Sequence, residues 1–444
     1  MHRRLPRLLA IGFLSACLLV ILYQLPPVHS RLAWRVDELK ARLKYALNPP
    51  EEAIFVPQQQ SLPSPLVHTV QYTPTPTVTP NSPLPTPIVT RNLPLVTPTS
   101  SPTPIPSPTP LPEEVILSGV KYEDQHNRWN YCGPANFSMA LTFWGWKGNR
   151  DVVGKYVKPA DKDKNVMPYE FADFVATQTE GLSVLIRFGG DLNLVKRMVA
   201  GGFPVLIEKG YTERDYTGKV GWLGHYQFVN GYNDDRQVFI VQDTYIKDGK
   251  DHEAPYADFL VGWQSFNYLF IIVYPSDRAV EVFTLLGQWG DPAWASAHAL
   301  ELAVTEAQTT SGREQFFAWF NQGTSHVALQ QYFDAAIAYD YAFSLYAALP
   351  EEVGRPYRVM WYQTGPYKAY YYSGRYQDVI NLANTTLHDT ISEPVLEESF
   401  YWRALAKEAL GDITAAIDDL KESVRLNPHF TAGLEQLARL GVTP

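Results

Sequence analysis

The chain has 444 residues, 45% hydrophobic and 19% charged, a length that suits two or three domains and a composition that is globular. Its 35 prolines exceed the ordinary share, so some segment is proline-rich and builds no core. A formal net charge of −9, with no Lys/Arg block outside the extreme N-terminus, excludes a nucleic-acid footprint. With Cys17 and Cys132 as the 2 cysteines, neither a disulfide framework nor a Cys-based zinc site is available.

Arg3, Arg4 and Arg7 precede an uncharged, mostly apolar run from Leu8 to Leu25, close to the roughly 20 residues that cross a bilayer. The run predicts an uncleaved signal anchor within residues 1–30, with the N-terminus inside and the remainder outside. Leu14-Ser15-Ala16-Cys17 resembles a lipoprotein cleavage box, and that alternative also tethers the chain to a membrane. Residues 31–56 read as a juxtamembrane connector whose first part has amphipathic character. The stretch 57–113 repeats Thr-Pro and Ser-Pro and holds about half of the prolines. It reads as a disordered stalk, whose polyproline II rise of about 3.1 Å per residue reaches up to ~170 Å.

Folded sequence resumes near Val115. Behind Gly133-Pro134, the residues Phe137, Met139, Ala140, Leu141 and Trp144 suit a buried helix, which puts Cys132 at its N-terminus. Unpaired backbone N–H groups at such an end favour a thiolate. A cysteine nucleophile also needs a base, a group that orients the base and a donor for the oxyanion. The run Gly224 to Tyr232 reads as a strand entering a turn, with Gln237 to Asp243 as its hairpin partner, so His225 and Asp243 can meet. Gln125 is a candidate oxyanion donor beside the Cys132 backbone N–H. A lone cysteine is more often a small buried hydrophobe, and the weight here falls on the four residues together. His126 and His252 read as solvated loop residues, and Asp234 and Asp235 as turn residues.

Residues about 115–275 resemble the papain-like cysteine peptidases related to bacteriocin leader-processing domains, family thirty-nine of the cysteine peptidases. The resemblance rests on Gln125, the Cys132-Gly133-Pro134-Ala135 box with Met139, the Gly202 to Ile207 strand, the Gly224 to Tyr232 hairpin and Asp243. It implies an α+β papain-like fold with Cys132 as nucleophile, His225 as general base and then acid, Asp243 as orienter and Gln125 in the oxyanion hole. The chain departs from the family where Gln242-Asp243-Thr244-Tyr245 replaces the frequent Asn-Asp-Pro. It also encodes no exporter, so cytosolic cleavage of double-glycine leaders is not the expected task.

Beyond about Asp291 the composition shifts to Ala, Tyr, Leu and Glu. Ser399 to Leu420, closing at Asn427-Pro428, resembles a tetratricopeptide repeat, with Ala404, Gly411, Ala416 and Pro428 at suitable offsets. Half-patterns at Tyr332 to Ala342 and Gly374 to Ala383 suggest roughly three repeats, enough to share a core. Tyr367, Tyr370, Tyr371 and Tyr372 serve either a concave binding face or interhelical packing.

The sequence thus predicts an N-terminal transmembrane helix (1–30), a connector (31–56), a disordered Pro/Thr/Ser-rich stalk (57–113), a papain-like cysteine peptidase domain (114–277) and all-α tetratricopeptide-like repeats (290–444). The expected protein is a membrane-anchored extracellular cysteine peptidase acting on a peptide or protein substrate, with a protein partner on the repeats, no cofactor and no nucleic acid. Three alternatives stand beside it: an inactive peptide-binding module, a surface scaffold, and an amidase or acyl transferase acting on cell-wall peptides.

Overall fold

The computed structural model describes residues 54–58, 110–160, 162–163, 165–214, 220–350, 353–388 and 395–444, with single positions at Tyr23, Val36, Leu39 and Leu43. Cys17 and most of the expected membrane anchor, connector and stalk lie outside the described residues. Among the described residues, no helix is long and apolar enough to cross a membrane.

Glu114–Ile116 forms strand β1, followed by helices α1 (Cys132–Phe143), α2 (Arg150–Val157) and α3 (Pro168–Gln178). Strand β2 (Leu182–Arg187) and helix α4 (Leu192–Ala200) lead into the hairpin strands β3 (Val205–Arg214), β4 (Val220–Asn233) and β5 (Val238–Gln242). Strand β6 (His252–Pro255), helix α5 (Tyr256–Gln264), strand β7 (Phe270–Pro275) and helix α6 (Ala279–Leu286) complete this part. His252 therefore opens a strand rather than lying in a loop.

All described pairings are antiparallel, in the order β2-β7-β3-β4-β5-β6, with β1 on β4. Side chains alternate across the sheet. Val205, Ile207, Phe270 and Ile272 pack with α4, α5 and α6, while Leu206, Ile271 and Val273 pack with α1, α2 and α3. Because α1 is buried from Gly133 through Thr142, it is apolar on nearly every face, the pattern of a central helix. Phe137 stacks on Phe171 at 4.2 Å.

The pairing around β4 creates the opening that matters. Strand β5 reaches β4 only as far as Phe228↔Gln242, while β3 continues beside it past His225. The free edge at Tyr226 is covered by α1, whose Asn136 Nδ2 donates to the Tyr226 carbonyl at 2.8 Å.

Helix α7 (Pro292–Thr309) begins the second half, in which helices joined by short turns pack in pairs. These are α8 (Gly312–Ala328) with α9 (Tyr332–Ala348), then, after the short α10 (Val359–Tyr362), α11 (Gly365–Tyr372) with α12 (Tyr376–His388). Helices α13 (Glu397–Ala409), α14 (Ile413–Leu426) and α15 (Thr431–Arg439) follow. Small residues such as Ala335, Ala342, Ala369, Ala383 and Ala406 let the helices approach around Phe316, Phe320, Phe343 and Tyr370. Tyr367 and Tyr370 are buried packing residues, bonded to Thr386 and Asp340, whereas Tyr372 is exposed and stacks on Tyr332.

The helical core runs on into the sheet region. Trp222 packs against Phe266, Phe317 and Tyr362, and Asn321 Nδ2 donates to the Gln264 carbonyl at 2.7 Å. A second junction joins α3 to α13, where Tyr169 donates to Glu398 at 2.7 Å and Asn427 Nδ2 bridges Glu170 and Glu397. Residues 54–58 also belong to this body. Phe55 is buried against Phe343 and Tyr370 of the helical half.

Candidate active site

Cys132 is the first residue of α1. The preceding Tyr131 offers no side-chain cap, and the first turn carries no acidic residue. Early backbone N–H groups are thus left to a group at the helix end, together with the positive end of the helix dipole. Cys132 is partly exposed and its side chain is hydrogen bonded to His225. Burial pushes the thiol pKa up, but the His225 hydrogen bond and charge, with backbone hydrogen bonds at Tyr226 and Gly133, outweigh it and hold it below the ordinary value.

His225 is 1% exposed, and its Nε2 lies 3.1 Å from Asp243 Oδ1, so Nδ1 is the ring nitrogen left for the thiol. Burial pushes this imidazole down, yet the charge and hydrogen bond of Asp243, joined by those of Cys132, lift its pKa to about 10. The pair therefore favours thiolate and imidazolium over thiol and imidazole.

Asp243 follows β5 directly and is fully buried. Its Oδ1 also accepts from the backbone N–H of Tyr245 at 2.9 Å, and its Oδ2 accepts from Tyr211 Oη at 2.8 Å and Gln227 Nε2 at 2.6 Å. Burial alone would raise this carboxyl, but His225 and these donors hold it well below the usual carboxylate range. The loop after it is tight: a Cβ added to Gly249 would lie 1.8 Å from the Asp243 carbonyl oxygen.

Gln125 is held from the same loop. Its backbone N–H donates to the Thr244 carbonyl at 2.9 Å, and its Oε1 accepts from Thr244 Oγ1 at 3.0 Å. Asn136 Nδ2 in turn donates to Thr244 Oγ1 at 3.2 Å and to the Cys132 carbonyl at 3.0 Å. This line runs from the start of α1 to Gln125 and leaves the Gln125 amide with its NH2 end as the donor. Thr244, standing where the resembled family often has proline, supplies the hydroxyl that makes the link.

The structure thus brings Cys132, His225 and Asp243 into one hydrogen-bonded line and ties Gln125 to it through Thr244 and Asn136. Sequence reasoning missed Tyr211, Gln227, Asn136 and Glu208. Gln227 sits two residues after His225, on the same strand face, and Asn136 one helical turn after Cys132, so both spacings were readable. Tyr211 is diagonal to His225 only through the Lys209↔His225 register. Glu208 is 1% exposed, and its Oε1 finds no partner among the described residues. Burial, reinforced by the charge of Cys132, pushes its carboxyl well above the ordinary value.

His126 lies outside this line, its Nε2 beside the Tyr245 carbonyl at 2.9 Å. Among the described residues, no group of three His, Cys, Asp or Glu side chains is placed to hold a metal ion. A cavity of about 220 Å³ lies elsewhere, lined by Tyr156, Tyr169, Glu170, Asn427 and His429, and contains none of the four candidate residues.

Residues 117–270 match the model of the Peptidase_C39 like family. No curated protein and no solved structure matches the chain. The matched stretch holds α1, the hairpin of β4 and β5 and most of the sheet. Its α+β architecture with an antiparallel sheet fits a papain-like peptidase, and a helical region follows it. A peptidase of this kind takes a peptide or protein as substrate. Over residues 117–270, the chain is similar to the cysteine peptidases of the Peptidase_C39 like family.

Proposed function

We propose that residues 114–277 hydrolyse peptide bonds, with Cys132 as nucleophile, His225 as general base and acid, Asp243 as orienting carboxylate and Gln125 as oxyanion donor. The observation that carries this reading is the hydrogen-bonded line Cys132–His225–Asp243 at the uncapped start of a buried helix.

The Cys132 thiolate attacks the carbonyl carbon of the scissile bond, and the carbonyl π electrons move to oxygen. The oxyanion is met by the Cys132 backbone N–H and the Gln125 Nε2 hydrogens. As the intermediate collapses, imidazolium Nδ1 gives its proton to the leaving amine, and a thioester remains. Water then attacks the thioester, Nδ1 takes its proton, and the acid product leaves with the thiolate restored. Asp243 keeps Nε2 protonated throughout and so keeps Nδ1 facing the sulfur.

In the same reading, the apolar run at residues 8–25 anchors the chain, with its folded part outside the cell. Residues 290–444 act as tetratricopeptide-like repeats that bind a protein or peptide, a role supported by their paired helices.

The test is the rate at which iodoacetamide alkylates Cys132, resolved from Cys17 by peptide mass spectrometry, across pH in the full-length chain and in its His225→Ala variant. The expected result is rapid labelling below neutral pH that the variant loses. The same ordinary thiol titration, near pH 8.5, in both chains would overturn the reading and leave a peptide-binding module.

A further inference from the structure

Residues 54–58 lie extended on the helical half, with burial alternating along them: Phe55 and Pro57 are buried, while Ile54, Val56 and Gln58 are exposed. That period of two is how a peptide presents one edge to a groove. Phe55 is 5% exposed and sits edge-on to Phe343 of α9 at 5.0 Å, with the Tyr370 ring of α11 at 6.0 Å. The Gln58 backbone N–H donates to Oδ1 of Asp378 on α12 at 2.8 Å. Asp378 is itself 4% exposed and fixed through Oδ2 by Arg375 at 2.8 Å. Arg375 also holds Asp340, which accepts from Tyr370 Oη. An aromatic pocket beside a pre-set backbone acceptor forms a built recognition site, because few groups must be ordered when the peptide arrives.

We infer that Ile54–Gln58 is a peptide ligand of the helical half, held in cis and exchangeable with a separate peptide of the same kind, an extended segment with a bulky aromatic two residues before a proline. This names the ligand class for the peptide-binding role proposed above for the repeats and rests on that reading, not on the chemistry at Cys132. The other end of the intervening stretch is fixed to the same body, since Tyr232 Oη donates to the Pro112 carbonyl at 2.8 Å and β1 pairs with β4.

A tether of roughly 50 residues gives the cis segment an effective concentration on the order of a millimolar or below. When that segment is seated nine-tenths of the time, a competing peptide binds about tenfold more weakly. The experiment uses a fluorescein-labelled peptide of residues 50–60 and the full-length chain, wild type and Phe55→Asp, with hydrogen–deuterium exchange read at the Gln58 amide. The expected result has three parts: binding at least tenfold tighter to Phe55→Asp than to wild type, no binding of a peptide whose Phe is replaced by Ala, and a Gln58 amide protected in wild type alone. Equal binding by both chains would overturn the cis assignment and leave the repeats as peptide binders. Failure of both chains to bind, with Gln58 exchanging freely in wild type, would sink the peptide-binding role as well.

Discussion

Asp243 separates two roles that a single side chain can confuse. Its carboxylate charges the imidazole, and its oxygens also satisfy Tyr211, Gln227 and the Tyr245 N–H. Substitution by Asn removes the charge but not the shape. The new NH2 group can be met by Gln227, whose Oε1 now has no partner among the described residues and needs only an amide flip to accept. Asp243→Asn is therefore expected to lose less stability in urea unfolding than Asp243→Ala, since it keeps the hydrogen-bond count and gives up only the charge that pairs with His225. Its Cys132 alkylation at pH 6 is expected to fall at least tenfold, because the imidazolium loses its anion. Asp243→Ala strands several buried donors, at roughly 1–3 kcal/mol each, and is expected to lose stability and reactivity together. Equal loss of stability in the two variants would refute this division.

At the scale of elements, the loop between β5 and β6 sets where the acid stands. The Asp243 N–H donates to the Gly249 carbonyl at 2.8 Å, and the Gly249 α-carbon faces the Asp243 carbonyl so closely that a methyl would stand 1.8 Å from it. Gly249→Ala must open this loop and move Asp243 from His225, whose contact is 3.1 Å. Overpacking of this kind costs roughly 1–3 kcal/mol. The alkylation rate at pH 6 is expected to drop as in Asp243→Asn, with the sheet retained by circular dichroism; wild-type reactivity at pH 6 would show that the loop does not position the acid. The elements that carry this site were legible for a physical reason. Helix α1 announces itself by a continuous apolar run behind Gly133-Pro134, and the pairing of His225 with Asp243 follows from hairpin register, which is local. Tyr211 was not legible, because the sequence pattern marks a strand only from Gly202 to Ile207, whereas β3 runs on to Arg214 and sets Tyr211 diagonal to His225 only through its register on β4.

At the scale of the molecule, the two halves read as separate domains in sequence because each has its own periodicity. Their junctions join residues far apart in the chain, such as Tyr169 with Glu398 and Phe55 with Tyr370, which no spacing rule reaches. The α3–α13 junction gathers Glu170, Glu397 and Glu398 in burial, with Asp163, Lys158 and Tyr169 beside them. Burial, reinforced by the charge of Glu397, holds the Glu398 carboxyl well above its ordinary 4.5. The unfolded chain ionises this group above pH 4.5, whereas the folded chain keeps the proton until its raised pKa is passed. The stabilising contribution is therefore fully present below pH 4.5 and is lost as pH rises through the folded value, each tenfold difference in proton affinity between the two states being worth about 1.4 kcal/mol. Glu398→Gln keeps an oxygen to accept from Tyr169, whose bond is 2.7 Å, and removes the titration. In urea unfolding the variant is expected to match wild type near pH 4.5 and to exceed it by more than about 1 kcal/mol at pH 8. A difference that does not change between those two pH values would mean that the junction does not hold Glu398 in its neutral form.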